Sequence, residues 1–143
     1  MSTEIKTKTT LEDLKTNVKI VLSGLWVSLM FIYAYVDIFD FYRLGEIEHI
    51  IAGYFGPFPT TQGSLLMALV LMLVPSLMVF LTLILKAKVN RRLNIFMGIA
   101  YVLVAIGNII GETWAFYIFG SVVELALLSL IIGYAWRWPK HAA

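Results

Sequence analysis

Glu124 is the residue in this sequence with the clearest chemical potential, because it interrupts a long apolar stretch, WAFYIFGSVVELALLSLIIGYAW, that starts at Trp114. At 1.5 Å per helical residue it lies roughly 15 Å along a helix, near the middle of a bilayer. A carboxylate at that depth is costly and by default marks a functional site. We expect Glu124 to face the protein interior, to be neutral, and to exchange hydrogen bonds with Tyr33, Tyr101 or Ser121.

A second group of chemically active residues follows one helical face of the first apolar stretch. Successive spacings of four, three, four and three residues predict an aromatic-lined cleft that ends in carboxylates. Each of these polar residues has an alternative role in helix packing or interhelical hydrogen bonding. The stripe is Trp26, Met30, Tyr33, Asp37 and Asp40. The candidate ligand-binding residues are Glu124, Asp37, Tyr33, Tyr117, Ser121, Asn108, Tyr101 and Trp26.

Composition limits the chemistry that these residues can serve. Of 143 residues, 60% are hydrophobic and 14% are charged, and the mean hydropathy is +0.86. These values exclude a soluble enzyme, a disordered chain and a nucleic-acid-binding module. The sequence contains no cysteine and two histidines, which excludes disulfides, iron–sulfur clusters and cysteine–zinc sites. We therefore expect no cofactor, no metal and no nucleic-acid partner, and the lipid bilayer as the main surrounding.

Four apolar stretches are long enough to cross the hydrocarbon layer as helices. They do not alternate as the strands of a membrane barrel do. The sequence therefore predicts an all-α fold, a transmembrane four-helix bundle. The predicted spans are 20–39, 64–85, 93–110 and 114–136.

The link between the first and second spans is the one long connection. Its apolar residues from Leu44 to Phe55 recur on one helical face, which predicts a short amphipathic helix over 44–55 that lies in the membrane interface. Glycine and proline at 56–59 end that helix, and Thr60 or Thr61 caps the second span.

Smaller features complete the predicted architecture. KAKVNRR at 86–92 predicts a basic turn, and Gly111-Glu112-Thr113 a tight turn. Pro75 frees the carbonyl of Leu71, four residues earlier. The GxxxG spacing of Gly107 and Gly111 permits close helix approach. The predicted organisation is a polar segment over 1–19, with a cap at Thr10, one membrane domain over 20–138 and a tail over 139–143.

Basic residues predict the orientation of the bundle. Ten of the eleven Lys and Arg residues flank the first span's start, the second loop and the fourth span's end, whereas Arg43 alone lies at the opposite side. The positive-inside rule then places both termini in the cytoplasm. The predicted location is the cytoplasmic membrane, crossed several times.

Several strings resemble a bacterial family of small four-span membrane proteins of unknown function. They are LW at 25–26, IYAYVDIF at 32–39, TTQGSLLMALVLMLVPSLMVF at 60–80, KAKVNRRLNI at 86–95, FYIFGSVVELA at 116–126 and YAWRWP at 134–139. The resemblance implies a four-helix protein of a bacterial cytoplasmic membrane and no known activity. Members often carry an acidic residue before the proline of the second span, where this chain has Val74. In size and topology the chain is also broadly similar to DoxX-type proteins.

Three functions remain open from the sequence. The first is binding of a small lipophilic or ionic ligand in an outward-facing cleft between the first and fourth spans. The second is acid–base catalysis by Glu124 and Asp37 on an isoprenoid-like or quinone-like substrate. The third is a structural subunit of a membrane complex. Four spans are too few for a typical secondary transporter unless the chain forms a homo-oligomer.

Overall fold

The structure, a computed structural model, describes residues 15–139 and consists of four long helices with a short helix and a small hairpin between the first two. The predicted N-terminal polar segment before residue 15, its cap at Thr10 and the tail beyond residue 139 lie outside the described residues. The elements are α1 (Val18–Asp40), α2 (Glu46–Ile51), β1 (Tyr54–Phe55), β2 (Phe58–Pro59), α3 (Gln62–Ile84), α4 (Ala87–Ile109) and α5 (Ala115–Trp136).

The four long helices confirm the predicted all-α bundle. Each is long and apolar enough to cross a membrane. Between 17% and 28% of the most apolar window of each helix is buried within the protein. Most apolar side chains therefore face outward, as contact with lipid requires.

The bounds of α4 correct the predicted basic turn. Residues 87–92 form the first turns of α4, and the connection from α3 is reduced to Leu85 and Lys86, both extended. This segment contains no glycine or proline to interrupt a helix. Lys88 and Arg92 are exposed, Arg91 is half-buried against α5, and Asn90 is buried, so the helix continues through the basic residues.

The link between α1 and α3 is helical over a shorter range than predicted. The expected helix over 44–55 is six residues long, and its last predicted turn is instead β1, paired antiparallel with β2. Gly53 and Gly56 have φ of 90° and 50°, a left-handed conformation that turns the chain at little cost only for glycine. Leu44 and Ile51 are 93% and 80% exposed, and their insertion into a membrane interface stays a prediction.

The start of α3 confirms the predicted threonine cap. Thr61 Oγ1 accepts a hydrogen bond from the Ser64 backbone N–H at 3.1 Å. In return, the Ser64 hydroxyl accepts one from the Thr61 backbone N–H at 2.9 Å. This reciprocal capping box satisfies two backbone donors that the helix leaves free.

The helices pack around α1, which contacts α3 on one side and α5 on the other, while α5 also packs along α4. Two glycines other than the predicted pair bring these helices together. A Cβ on Gly120 would lie 2.6 Å from Val36 Cγ2, and one on Gly98 would lie 2.7 Å from Ile132 Cγ1. A Cβ on Gly107 or Gly111 would meet nothing within 4 Å. The GxxxG spacing therefore makes no close contact among the described residues.

The two ends of the bundle differ in charge and will be named by their loops. The hairpin end comprises residues 41–61 and 110–114, and the termini end comprises residues 15–17, 85–86 and 137–139. At the termini end, Lys19 Nζ donates to the carbonyl of Leu85 at 2.7 Å, and Arg91 Nε donates to that of Ala135 at 3.2 Å. Cationic side chains thus satisfy free carbonyls at the C-terminal ends of α3 and α5.

Candidate functional site

The inner cavity is a partly open space of about 50 Å³ between the four long helices, in the half nearer the hairpin end. Each helix supplies part of its wall. Seven of the eight predicted ligand-binding residues line it, and Trp26 does not. The seven are Tyr33 and Asp37 from α1, Tyr101 and Asn108 from α4, and Tyr117, Ser121 and Glu124 from α5.

Glu124 faces this cavity from the middle of α5, and its inward orientation is as expected from the sequence. Its side chain is 6% exposed, and Tyr33 Oη donates a hydrogen bond of 2.6 Å to Glu124 Oε1. The second carboxyl oxygen, Oε2, makes no hydrogen bond with any residue of 15–139. One half of the carboxyl is therefore held by the protein, and the other half is available to a molecule in the cavity.

Ser121, one turn before Glu124, also presents a free polar group. Its side chain is 4% exposed and forms no hydrogen bond with the part of the chain that the structure describes. The helical serines Ser28, Ser76 and Ser129 all donate to the carbonyl four residues earlier, at 2.7–3.0 Å, the usual arrangement for this side chain. Among residues 15–139 no fully buried side-chain nitrogen or oxygen atom lacks a hydrogen-bond partner. The Ser121 hydroxyl therefore borders the open space of the cavity, where water or a bound molecule can be its partner.

Tyr101 closes the cavity on the side of α3 and α4. Pro75 cannot donate a backbone hydrogen bond to Leu71, as the sequence predicts. Tyr101 Oη donates to this free carbonyl of Leu71, which links α4 to α3 where the two helices otherwise make few contacts. The phenol oxygen keeps its acceptor capacity, and Tyr101 lines the cavity as well.

Asp37, Asn108 and Tyr117 lie nearer the hairpin end of the same cavity. Asp37 and Asn108 are exposed on the surface of the protein, and Tyr117 is half-buried. None of the three side chains forms a hydrogen bond or an ion pair within the described range. They add a carboxylate, an amide and a phenol to the polar groups that can bind a molecule there.

Trp26 belongs to a separate polar network nearer the termini end. Its Nε1 donates to Asn94 Oδ1 at 2.7 Å, Asn94 Nδ2 donates to Asn90 Oδ1 at 2.7 Å, and Asn90 Nδ2 donates to the Thr82 carbonyl at 2.5 Å. All four side chains are fully buried. Because each amide group has a partner, the network ties α1, α3 and α4 together and leaves no site for a ligand.

Sequence reasoning missed Asn90, Asn94 and Thr82. The signal was present in the spacing, since two asparagines four residues apart share one face of a helix. The interpretation of residues 86–92 as a turn concealed that signal, because it placed Asn90 outside any helix. The missed residues serve structure, and the inner cavity remains the candidate site.

A larger space adjoins the inner cavity at the hairpin end and will be called the vestibule. It measures about 460 Å³ and lies between the end of α1, the α2–β1 segment and the first half of α3. It shares Asp37, Leu71 and Met72 with the inner cavity, so these side chains form the boundary between the two. Its other lining residues are Asp40, Phe41, Glu46, Ile50, Phe55, Gly56, Ala68 and Leu69.

The charge at the hairpin end is predominantly negative. Arg43 Nη1 contacts Asp40 Oδ1 at 2.8 Å and Glu112 Oε2 at 3.1 Å. The hydrogen bond to Asp40 raises the pKa of Arg43 above its usual range. Burial acts to raise the pKa of Glu112, but backbone hydrogen bonds from Trp114 and Thr113 together with the charge of Arg43 lower it below its ordinary value. Arg43 is thus occupied by two carboxylates.

Neither cavity has a basic residue among its described lining residues. Within residues 15–139, no group of three or more His, Cys, Asp or Glu side chains could hold a metal ion. The polar side-chain groups that line the inner cavity are oxygen atoms, together with the amide of Asn108. Oxygen ligands of this kind suit hard cations and water.

The sequence model of one family matches residues 10–143, almost the entire chain. The chain belongs to DUF6326, a family of unknown function. No curated protein and no solved structure matches it. The broader similarity to DoxX-type proteins therefore stays a prediction, and function must be argued from the site.

The size of the inner cavity decides what this DUF6326 protein can hold beside Glu124. A water molecule needs about 10–15 Å³ by this measure, so the space accommodates a few waters or one small ion with water. Pockets for drug-sized organic ligands measure about 300–1,000 Å³. An isoprenoid or a quinone ring is therefore too large for the inner cavity, whereas the vestibule has the volume of an organic ligand site.

Proposed function

We propose that this multi-span membrane protein binds a small monovalent cation, a proton or an alkali-metal ion, in the inner cavity, with Glu124 as the principal ligand. The observation that carries the proposal is that Glu124 Oε2 and the Ser121 hydroxyl border the inner cavity and have no hydrogen-bond partner among the described residues. No fully buried side-chain nitrogen or oxygen atom of residues 15–139 lacks a partner, so both oxygens are open to the contents of the cavity and can take a partner there. A cation accompanied by water supplies one for both.

The chemistry of the cavity wall favours a cation over an anion or an apolar molecule. Asp37 and Glu124 both line the cavity, and a carboxylate in an apolar surrounding is stabilised by a proton or a positive ion. An anion would find no basic side chain among the described lining residues. The small volume argues against a lipophilic ligand at this position.

The two other functions open from the sequence have weaker support. An acid–base enzyme needs Asp37 and Glu124 at one site, and they do share a cavity, but about 50 Å³ leaves no room there for an apolar substrate. A structural subunit needs no cavity. Polar side chains that serve only helix packing are expected to hydrogen-bond to one another, as Trp26 and Asn94 do. The oxygens of Glu124 and Ser121 that have no partner among the described residues therefore support binding of a ligand over a purely structural role.

The proposal includes an orientation. Ten of eleven Lys and Arg residues belong to the side of the termini, which supports cytoplasmic termini under the positive-inside rule. The hairpin end and the vestibule would then face the outside of the cell. Under this orientation, the cation reaches Glu124 from outside, past Asp37.

Infrared difference spectroscopy of the protein in lipid nanodiscs tests the cation proposal. The band of a protonated carboxyl that disappears in Glu124→Gln identifies Glu124. We expect this band to weaken when the pH rises, and addition of Na⁺ or K⁺ at fixed pH then distinguishes an alkali ion from the proton alone. Glu48→Gln, a change at an exposed carboxyl of α2 that lines neither cavity, is the matched control and should leave the band unchanged.

A Glu124 band that responds neither to pH nor to either ion would overturn the proposal. A response to pH alone would support binding of a proton at Glu124 and would exclude binding of an alkali-metal ion there. Glu124→Gln preserves side-chain volume and can still accept the hydrogen bond from Tyr33, so the comparison uses a folded protein.

A further inference from the structure

The vestibule has the properties of a site for an organic cation. Three carboxylates and several large apolar side chains line the same space. Asp37 has no ion-pair partner in the described chain, whereas Asp40 is paired with Arg43. The aromatic rings of Phe41 and Phe55 add surfaces that attract both alkyl groups and cations. Such a lining suits a molecule with one charged end and one apolar end.

The position of the boundary determines how such a molecule would lie. Asp37, Leu71 and Met72 line both the vestibule and the inner cavity. A charged group that passes Asp37 enters the cavity that the free oxygens of Ser121 and Glu124 line, on side chains more than nine-tenths buried. The apolar part of the molecule stays in the vestibule, where about 460 Å³ is available.

We propose that the combined site binds a primary alkylamine in its ammonium form, with the ammonium group in the inner cavity and the alkyl chain in the vestibule. The inference rests on the proposed cation function and names its ligand class. An ammonium group has three N–H donors and no acceptor, which suits a cavity whose polar lining includes the oxygens of Ser121 and Glu124 and, at its boundary, Asp37. A quaternary ammonium has no N–H donor and is too bulky for about 50 Å³.

Binding of the ammonium ion is coupled to loss of one proton. In the resting site the Glu124 carboxyl is neutral, and the ammonium ion arrives with one positive charge. When the ammonium ion binds, the O–H bond of Glu124 breaks and the proton passes to bulk water past Asp37. The resulting Glu124 carboxylate is paired with the ammonium ion, so the charge formed at Glu124 is not left unpaired. The titratable groups facing Glu124 are Tyr33 and Asp37 on α1, Tyr101 on α4 and Tyr117 on α5.

Titration calorimetry with the protein in nanodiscs tests this inference directly. The probes are methylamine, butylamine, hexylamine and octylamine, with octanol and tetraethylammonium as controls for the apolar chain and for charge. We expect affinity to rise about fourfold for each added CH₂ that the vestibule buries. Repeating the titration in buffers of different ionisation enthalpy should reveal one proton released for each amine bound.

Ala68→Phe is the variant that separates the vestibule from the inner cavity. Ala68 lines only the vestibule, so a larger side chain there should remove the gain from chain length and leave the response to methylamine unchanged. Glu48→Gln and empty nanodiscs are the matched controls for surface charge and for partition into lipid. The series of ligands tests the wild-type protein as well, so the inference does not depend on how Ala68→Phe folds.

The outcomes distinguish this inference from the proposed function. Octanol or tetraethylammonium binding as tightly as octylamine would overturn the alkylamine assignment, as would amine binding without proton release. If Glu124 still responds to pH or Na⁺ in that case, the cation function stands and only the ligand class is wrong. If Glu124 responds to no cation, both are wrong.

Discussion

The hydrogen bond between Tyr33 and Glu124 can be measured through its contribution to stability. Tyr33→Phe removes the donor, Glu124→Gln keeps an acceptor of similar size, and Glu124→Ala removes the side chain. The bond joins α1 to α5 at 2.6 Å with Glu124 almost fully buried. Each variant therefore changes this interhelical contact, and a double-mutant cycle of Tyr33→Phe with Glu124→Ala separates its energy from the other effects of each change.

The expected magnitudes follow from the geometry and the cavity. Interhelical hydrogen bonds in membrane proteins have coupling energies of about 0.6 kcal/mol on average and at most about 1.7, and we expect the Tyr33–Glu124 coupling in that range. Glu124→Gln should lower the free energy of unfolding by less than about 1 kcal/mol, because Tyr33 can still donate its hydrogen bond to the amide oxygen. In Glu124→Ala, every roughly 40 Å³ of vacated space that stays empty adds about 1 kcal/mol, at about 24 cal/mol per Å³.

Reversible unfolding in mixed micelles with an increasing fraction of sodium dodecyl sulfate, followed by tryptophan fluorescence, provides the free energies. A coupling indistinguishable from zero would show that the Tyr33–Glu124 bond contributes nothing and would refute the argument. A coupling well above about 2 kcal/mol is typical of a bond to a charged group and would contradict a neutral resting carboxyl. Glu48→Gln, on the exposed surface of α2, should change stability by less than about 0.5 kcal/mol.

Three further predictions concern topology, packing and pH. Cysteine at Glu48 should react with a membrane-impermeant thiol reagent added outside cells and cysteine at Lys88 should not, and the reverse pattern would invert the proposed orientation. Gly120→Ala should destabilise the fold by about 1–3 kcal/mol, since its Cβ would lie 2.6 Å from Val36 Cγ2. The added change Val36→Ala should recover part of that loss in the same unfolding assay. The pKa of Glu112 is lowered in the folded state, so its stabilisation is full above the unfolded-state value and is lost as the pH falls through the lower folded-state value. Glu112→Gln should therefore reduce the loss of stability below about pH 4.5, and unchanged acid sensitivity would contradict the role of this carboxyl.

Hydropathy and local sequence patterns were sufficient to predict the four spans, the threonine cap of α3 and the free backbone carbonyl of Leu71. The lipid-facing spans consist mainly of apolar residues, and a helix is the structure that satisfies its backbone hydrogen bonds without neighbours. The cap at Thr61 and the effect of Pro75 on Leu71 depend on residues within one turn of each other. Such properties are local, so the sequence alone determines them.

Boundaries and close contacts were less predictable, because they depend on neighbouring elements. The charge of residues 86–92 is typical of a loop, yet residues 87–92 form the start of α4. Burial of Asn90 against neighbouring helices stabilises the helical conformation there. The GxxxG spacing of Gly107 and Gly111 predicts a close contact between helices at these two residues. The close approaches instead occur at Gly98 and Gly120, because which face of a helix meets a neighbour depends on the rotation of both helices.

The candidate site shows the same division between sequence and tertiary structure. An isolated carboxyl in an apolar span is conspicuous by its energetic cost, so the sequence identified Glu124 and the polar face around it. Helical spacing placed Trp26 in the same stripe as Tyr33 and Asp37, whereas the fold directs Trp26 to Asn94. The size of the inner cavity, its free oxygens and its contact with the vestibule arise from side chains of four helices far apart in sequence. Only their packing decides how much space is left between them, and that space determines which ligands can fit beside Glu124.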